Sequence, residues 1–140
     1  MIQHIICKPE CSFVMAPFYL MDNDELLKSQ LINLSFQTDK NFEVIVPDPH
    51  YNKRNWLNNY VKNFNYNVIH FPYIPNLKTP KSFDYGIFNN AVLMSSTNKI
   101  ITFQDWRFCH PKFIKILKQV KDFEFVGFNW QVLYRNDQAG

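Results

Sequence analysis

The chain has 140 residues, 46% of them hydrophobic and 17% aromatic, with 14 Phe. That is the length of one domain with ample core material, which excludes a globally disordered chain and allows burial of about two-thirds of the unfolded surface. A net charge of +3 from 15 basic and 12 acidic residues, with no long basic run, leaves no electrostatic footprint for nucleic acid.

Three cysteines, Cys7, Cys11 and Cys109, are an odd and sparse set. They predict free thiols in a reducing, cytoplasmic setting rather than a disulfide framework. Cys7 and Cys11 with His4 match no zinc spacing, and ordinary buried thiols are the simpler reading. No basic region followed by an apolar run opens the chain, and no stretch nears the ~18 apolar residues of a membrane span. Neither a signal peptide nor a transmembrane segment is expected.

Residues 1–7 lean apolar and suit an edge strand. Residues 12–17, SFVMAP, are an apolar run ended by Pro17, the pattern of a buried parallel strand. Asp22, Asn23 and Asp24 offer helix N-caps, with Glu25 three residues after Asp22 in capping-box spacing. The helix predicted over 25–36 sets Leu27, Leu31 and Leu34 on one face. A turn at 39–41 leads to 42–46, FEVIV, whose β-branched and aromatic residues predict a second strand. Pro47 and Pro49 flank Asp48 and are expected to close that strand, since proline has no N–H for a central ladder.

The spacing of Leu57, Tyr60, Val61 and Phe64 predicts a helix over 52–64. Residues 67–71, NVIHF, are the third strand. Pro72, Pro75 and Pro80 make 72–82 an irregular loop. Ser82 or Asp84 caps a helix running to about residue 96, with Phe88, Ala91, Val92 and Ser95 on its face. Residues 99–103 are the fourth strand and deliver Asp105 to its C-terminal end. His110 and Pro111 open another helix, Pro111 suiting its first turn, with Phe113, Ile116, Leu117 and Val120 as the buried stripe. Residues 123–128 and 130–134 read as further strands.

Strands alternating with helices at these intervals predict βαβ units and a mainly parallel sheet. Right-handed crossovers then place the loops after Pro17, Val46 and Phe103 along one edge, where Tyr19, Asp48 and Asp105 meet. Open α/β sheets bind ligands off that edge. His50 follows Asp48 and belongs near the ligand, whereas His70, inside a strand, reads as a satisfied, half-buried histidine. His110 is placed to cap the helix that follows it. None has a nucleophile partner, so no Ser-His-Asp or Cys-His arrangement is read. The pairs Trp56 with Tyr60 and Phe71 with Tyr73 read as core from their spacing.

Residues 34–46, LSFQTDKNFEVIV, closely resemble the "L…QT…NFEVIV" segment of family 2 glycosyltransferases with the GT-A fold. Residues 14–20, VMAPFYL, resemble that family's first strand and its "PTYN" turn. Residues 90–105 follow the family's "N-t-G-i…A-x-G-e-y-i…D" segment without a gap, with Asn90 at the Asn position and Asp105 first in the DXD motif. The resemblance covers nearly the whole chain. It implies an α/β, Rossmann-like GT-A fold: a mainly parallel central sheet with helices on both faces, forming a single nucleotide-sugar-binding domain.

By the same resemblance, Pro17 and Tyr19 line the base and ribose pocket, and Asp48 accepts a hydrogen bond from the base. Asn90 belongs to the nucleotide-sugar site, and Asp105 binds a divalent cation, Mn²⁺ or Mg²⁺, on the diphosphate. The implied partners are a nucleotide-diphosphate sugar donor and a glycan, lipid or protein acceptor, and the implied activity is that of a hexosyltransferase. The chain departs from the pattern at several positions. Asp48 is followed by Pro49 and His50 where the family carries a second acid. Val92 and Asn98 replace small glycines, and the DXD motif reads Asp105-Trp106-Arg107.

Each site residue keeps a plainer reading. Asp48 also reads as a turn residue bonded to its own backbone, and Asp105 as a turn or capping residue. Arg107 either touches the diphosphate, for which a guanidinium is suited, or pairs with Asp105 and leaves no metal site. Glu124 and Asp137 are the only late acids, and neither sits in a motif for a catalytic base. The chain therefore reads either as a minimal glycosyltransferase or the donor-binding portion of one, truncated at its C-terminus, or as a degenerate module that binds sugar nucleotides without turnover. A flavodoxin-like ligand binder is a third reading that rests on fold alone.

Overall fold

Four parallel strands make the centre of the computed structural model, which describes residues 9–15, 24–74, 86–103 and 108–119. The order along the chain is β1 (Cys11–Met15), α1 (Asp24–Ser35), β2 (Phe42–Asp48), α2 (Leu57–Tyr60), β3 (Asn67–Pro72), α3 (Gly86–Met94), β4 (Ile100–Phe103) and α4 (Phe113–Leu117). In the sheet the order is β3-β2-β1-β4. Phe13 pairs with Val44 on one side and Ile101 on the other, and Met15 pairs with Phe103. The fold is α/β and Rossmann-like, with helices on both faces of the sheet.

β1 and β2 are buried at every position, because each lies between two strands and under helices on both sides. Such strands need no apolar–polar alternation. One face carries the larger core: Phe13, Met15, Phe42, Val44 and Val46 meet Leu27, Leu31 and Leu34 of α1, Leu57 of α2, and Ile114 and Leu117 of α4. Phe13 is its hub, with ring centroids 5.4 Å from Phe42 and 5.5 Å from Phe103. Each buried Leu or Phe there contributes about 1.5–3 kcal/mol. The other face holds Val14, Ile45 and Ala91, flanked by half-buried Ile69, Phe71, Phe88 and Ile100, and α3 alone among the described helices covers it.

Several predicted boundaries shift, each for a physical reason. β2 runs through Pro47 to Asp48 instead of stopping at Val46. The rungs with β1 end at Ile45, so Pro47 lies on a stretch paired only with β3, where no two-sided ladder is broken. The helix predicted over 52–64 contracts to α2 and a 3-10 turn at Val61–Asn63, preceded by turns over 49–56. Asn52, Asn55, Asn58, Asn59 and Asn63 weaken it as a helix, although Leu57, Tyr60, Val61 and Phe64 all face the core as expected.

In α4 the buried pair is Ile114 and Leu117, while Ile116 is 52% exposed. In α3, Ile87 and Ala91 are buried and Val92 is exposed. The expectations for residues 1–7, the Asp22–Asn23 cap, the 75–82 loop, the Ser82 or Asp84 cap, Val120 and the strands at 123–128 and 130–134 lie outside the described residues.

Candidate functional site

β1, β2 and β3 step outward in one direction, and β4 returns to the far side of β1. The sheet therefore reverses its winding between β1 and β4, and a crevice opens at the carboxyl ends of two such strands. Met15 and Phe103 form the last rung between them, so the chain leaves both strands side by side. The next residues include Pro17 and Tyr19 after β1, and Asp105 and Arg107 after β4. These four lie outside the described residues.

Asp48 ends β2 at the same edge of the sheet, opposite Pro72 of β3. It is fully buried, at 0% exposure. Its Oδ1 accepts from Arg54 Nη1 and from the backbone N–H of His50, both at 2.8 Å. Its Oδ2 stands 3.0 Å from His70 Nε2. The bond to the His50 N–H, two residues on, is the Asx-type turn that a proline-flanked Asp favours, so the turn reading of Asp48 is realised in the structure. Burial pushes the Asp48 carboxyl up, but the His70 and His50 hydrogen bonds and the Arg54 charge outweigh it and hold it below the usual aspartate range.

Arg54 links this carboxylate to a second one. Its Nε donates to Asp24 Oδ1 at 2.6 Å, and Trp56 Nε1 donates to Asp24 Oδ2 at 3.0 Å. Asp24 thus opens α1 with its side chain engaged across the fold. Burial works against the Arg54 charge, yet the two carboxylates raise its proton affinity above the ordinary guanidinium value. His70 Nδ1 stands 3.0 Å from Asn58 Oδ1, and the Tyr51 ring lies 4.5 Å from the imidazole. His70 is the satisfied histidine the sequence suggests. His110 does not cap α4, whose N-cap is Lys112 with no side-chain cap bond; instead its Nδ1 accepts from Lys112 N and its carbonyl from Phe113 N in the turn before the helix.

Asn90 is exposed on α3 and donates to the Gly86 carbonyl one turn back. Among the described residues no hydrogen bond joins it to Asp48. Among them, too, no group of three His, Cys, Asp or Glu side chains is placed to hold a metal ion. Cys11 and Cys109 are free thiols, and burial pushes both up to about 12, far from thiolate at neutral pH. No helix among the described residues is long and apolar enough to cross a membrane.

Arg54 is the residue that sequence reasoning missed. It sits in a polar stretch, HYNKRN, with no periodicity to mark it. Its only signal is a basic residue six positions beyond a proline-flanked Asp. No protein-family model matches the chain, and no curated protein matches it.

Proposed function

We propose that this chain is a GT-A-type glycosyltransferase or the donor-binding portion of one, taking a nucleotide-diphosphate sugar and passing the sugar to a glycan, lipid or protein acceptor. One observation carries the reading. The switch point of an all-parallel sheet falls between β1 and β4, and the two stretches that continue from those strands are the ones in which the resemblance places the donor. Pro17 and Tyr19 then serve the base and ribose, and Asn90 the donor from α3. Arg107 offers a guanidinium to the diphosphate, while Asp48 borders the base end.

The reaction is attack by an acceptor hydroxyl on the anomeric carbon, with the nucleoside diphosphate leaving. Asp105 is the residue that would hold a divalent cation, and Mg²⁺ accepts as few as one or two protein carboxylates beside phosphate oxygens. When bound, the cation neutralises the leaving diphosphate. The two described carboxylates at this edge, Asp24 and Asp48, are already committed to Arg54, Trp56 and His70. The two free thiols suit a cytoplasmic setting.

A second reading, a module that binds sugar nucleotides without turnover, is favoured by Arg107 in place of the second DXD carboxylate. Thermal unfolding with UDP-, GDP- and TDP-glucose, each with and without Mn²⁺, tests both. A donor at a hundredfold excess over its Kd adds about 2.7 kcal/mol of stability, seen as several degrees in Tm. Metal-dependent stabilisation that is lost in Asp105→Ala supports the transferase, and nucleoside diphosphate release separates it from the binder. If no nucleotide stabilises the protein, both readings fall.

A further inference from the structure

The polar side chains behind the edge of β2 form a continuous chain across four parts of the fold. Asp24 is the first residue of α1, Arg54 lies in the turns after β2, Asp48 ends β2, and His70 stands in β3. Arg54 is 1% exposed and spends two different nitrogens on two carboxylates, Nε on Asp24 and Nη1 on Asp48. Only a guanidinium offers donors in such a fixed fork; an ammonium of similar reach is a single point charge. Asp48 accepts from Arg54 and His50 N on one oxygen and faces His70 on the other, and it exposes no surface. A nucleobase reaches that carboxylate only by breaking this chain.

We propose that Arg54 is the positioning residue of the donor edge: through Asp24, Asp48 and His70 it holds the ends of α1, β2 and β3 in one arrangement, and the Asp48 carboxylate does not itself read the base. The inference rests on the donor-binding reading above. It predicts that perturbing the chain weakens every nucleotide alike, because the frame is altered rather than a base contact. A base-reading carboxylate predicts the opposite, a change in which base is preferred.

Calorimetric titration of the full chain with UDP, GDP, TDP and CDP, each in the presence of Mn²⁺, tests this on the wild type, Arg54→Lys and Asp48→Asn, well below each protein's Tm. Arg54→Lys is expected to lose affinity for all four by one common factor, on the order of tenfold. Asp48→Asn keeps an accepting oxygen for Arg54 and is expected to weaken all four alike while preserving their order. If Arg54→Lys does not melt cooperatively, Asp24→Asn takes its place, with the same uniform loss expected. A changed base order in Asp48→Asn overturns the inference and leaves donor binding intact. So does wild-type affinity in a variant whose Tm alone has dropped, since the cluster is then structural only. A wild type that binds none of the four removes the donor-binding reading and the positioning role together.

Discussion

Asp48 carries its charge where no water reaches it. The carboxyl is held below its ordinary value of 3.8 although burial alone would raise it. A group with a lowered folded pKa binds its proton less readily in the folded than in the unfolded state. Its contribution to stability is therefore present above the ordinary value and is lost as pH falls through the folded one. Asp39, lowered by Lys118 and the Asn41 N–H, acts in the same direction but is more open to solvent, so its share is smaller. The Tm of the wild type is expected to hold from about pH 7 to about pH 5 and to fall below about pH 4, with a shallower fall in Asp48→Asn. Asp48→Ala takes the carboxylate away from Arg54 Nη1 and His70 Nε2 in a buried site and is expected to cost about 3–5 kcal/mol by urea unfolding. A loss under about 1 kcal/mol would show that Asp24 and solvent satisfy Arg54 unaided. That Asp48 was special was legible from its flanking prolines. Its side-chain partners were not, because Arg54 and His70 lie 6 and 22 positions away and nothing local ties them to it.

At the scale of the elements, buried polar side chains set how neighbouring segments lock. Gln37 ends the α1 region at 1% exposure. Its Nε2 donates to the His110 carbonyl at 2.8 Å and its Oε1 accepts from Ile114 N at 3.2 Å, while Thr38 N donates to the Pro111 carbonyl. The bond to Ile114 N fixes the rotation of α4, turning Ile114 and Leu117 inward and Ile116 out. The apolar periodicity of FIKIL fits two faces about equally, and these tertiary bonds, with the packing of Ile114 and Leu117 into the larger core, decide between them. Gln37→Ala leaves the buried Ile114 N–H unpaired, while the His110 carbonyl keeps Phe113 N, and is expected to cost about 1–3 kcal/mol by urea unfolding.

Glu43 does the same on the opposite face. It accepts from the Ser12 hydroxyl at 2.6 Å, from Ser96 N at 2.7 Å and from the Ser96 hydroxyl at 2.9 Å, so the chain after α3 is tied to β1 and β2. Within FEVIV it reads only as a strand residue, since a buried acid cannot be told from a solvated one by alternation when both faces are covered. Glu43→Gln keeps an acceptor and is expected to cost under about 1 kcal/mol, against about 2–4 kcal/mol for Glu43→Ala, both measured by urea unfolding.

At the scale of the whole molecule, the two faces of the sheet are unequal among the described residues, and stability should divide the same way. α1, α2 and α4 close the larger core, where Phe13, Leu31, Leu34 and Leu57 are wholly buried. α3 covers the smaller cluster and turns Val92, Leu93 and Met94 to solvent, Leu93 at 83% exposure. A layer with few buried apolar side chains opens at lower cost than the core it covers. Amide hydrogen exchange is therefore expected to be slowest in β1 and β2, through global unfolding, and faster in α3 through a partial opening. Leu31→Ala should lower protection throughout and cost about 2–5 kcal/mol, while Leu93→Ser should stay within about 0.5 kcal/mol of the wild type. The ends of β1 and β4 would then remain framed when α3 opens, because the larger core holds Met15 and Phe103 from the other side. If the α3 amides exchange as slowly as those of β2, the two faces unfold as one unit and this division of stability is wrong.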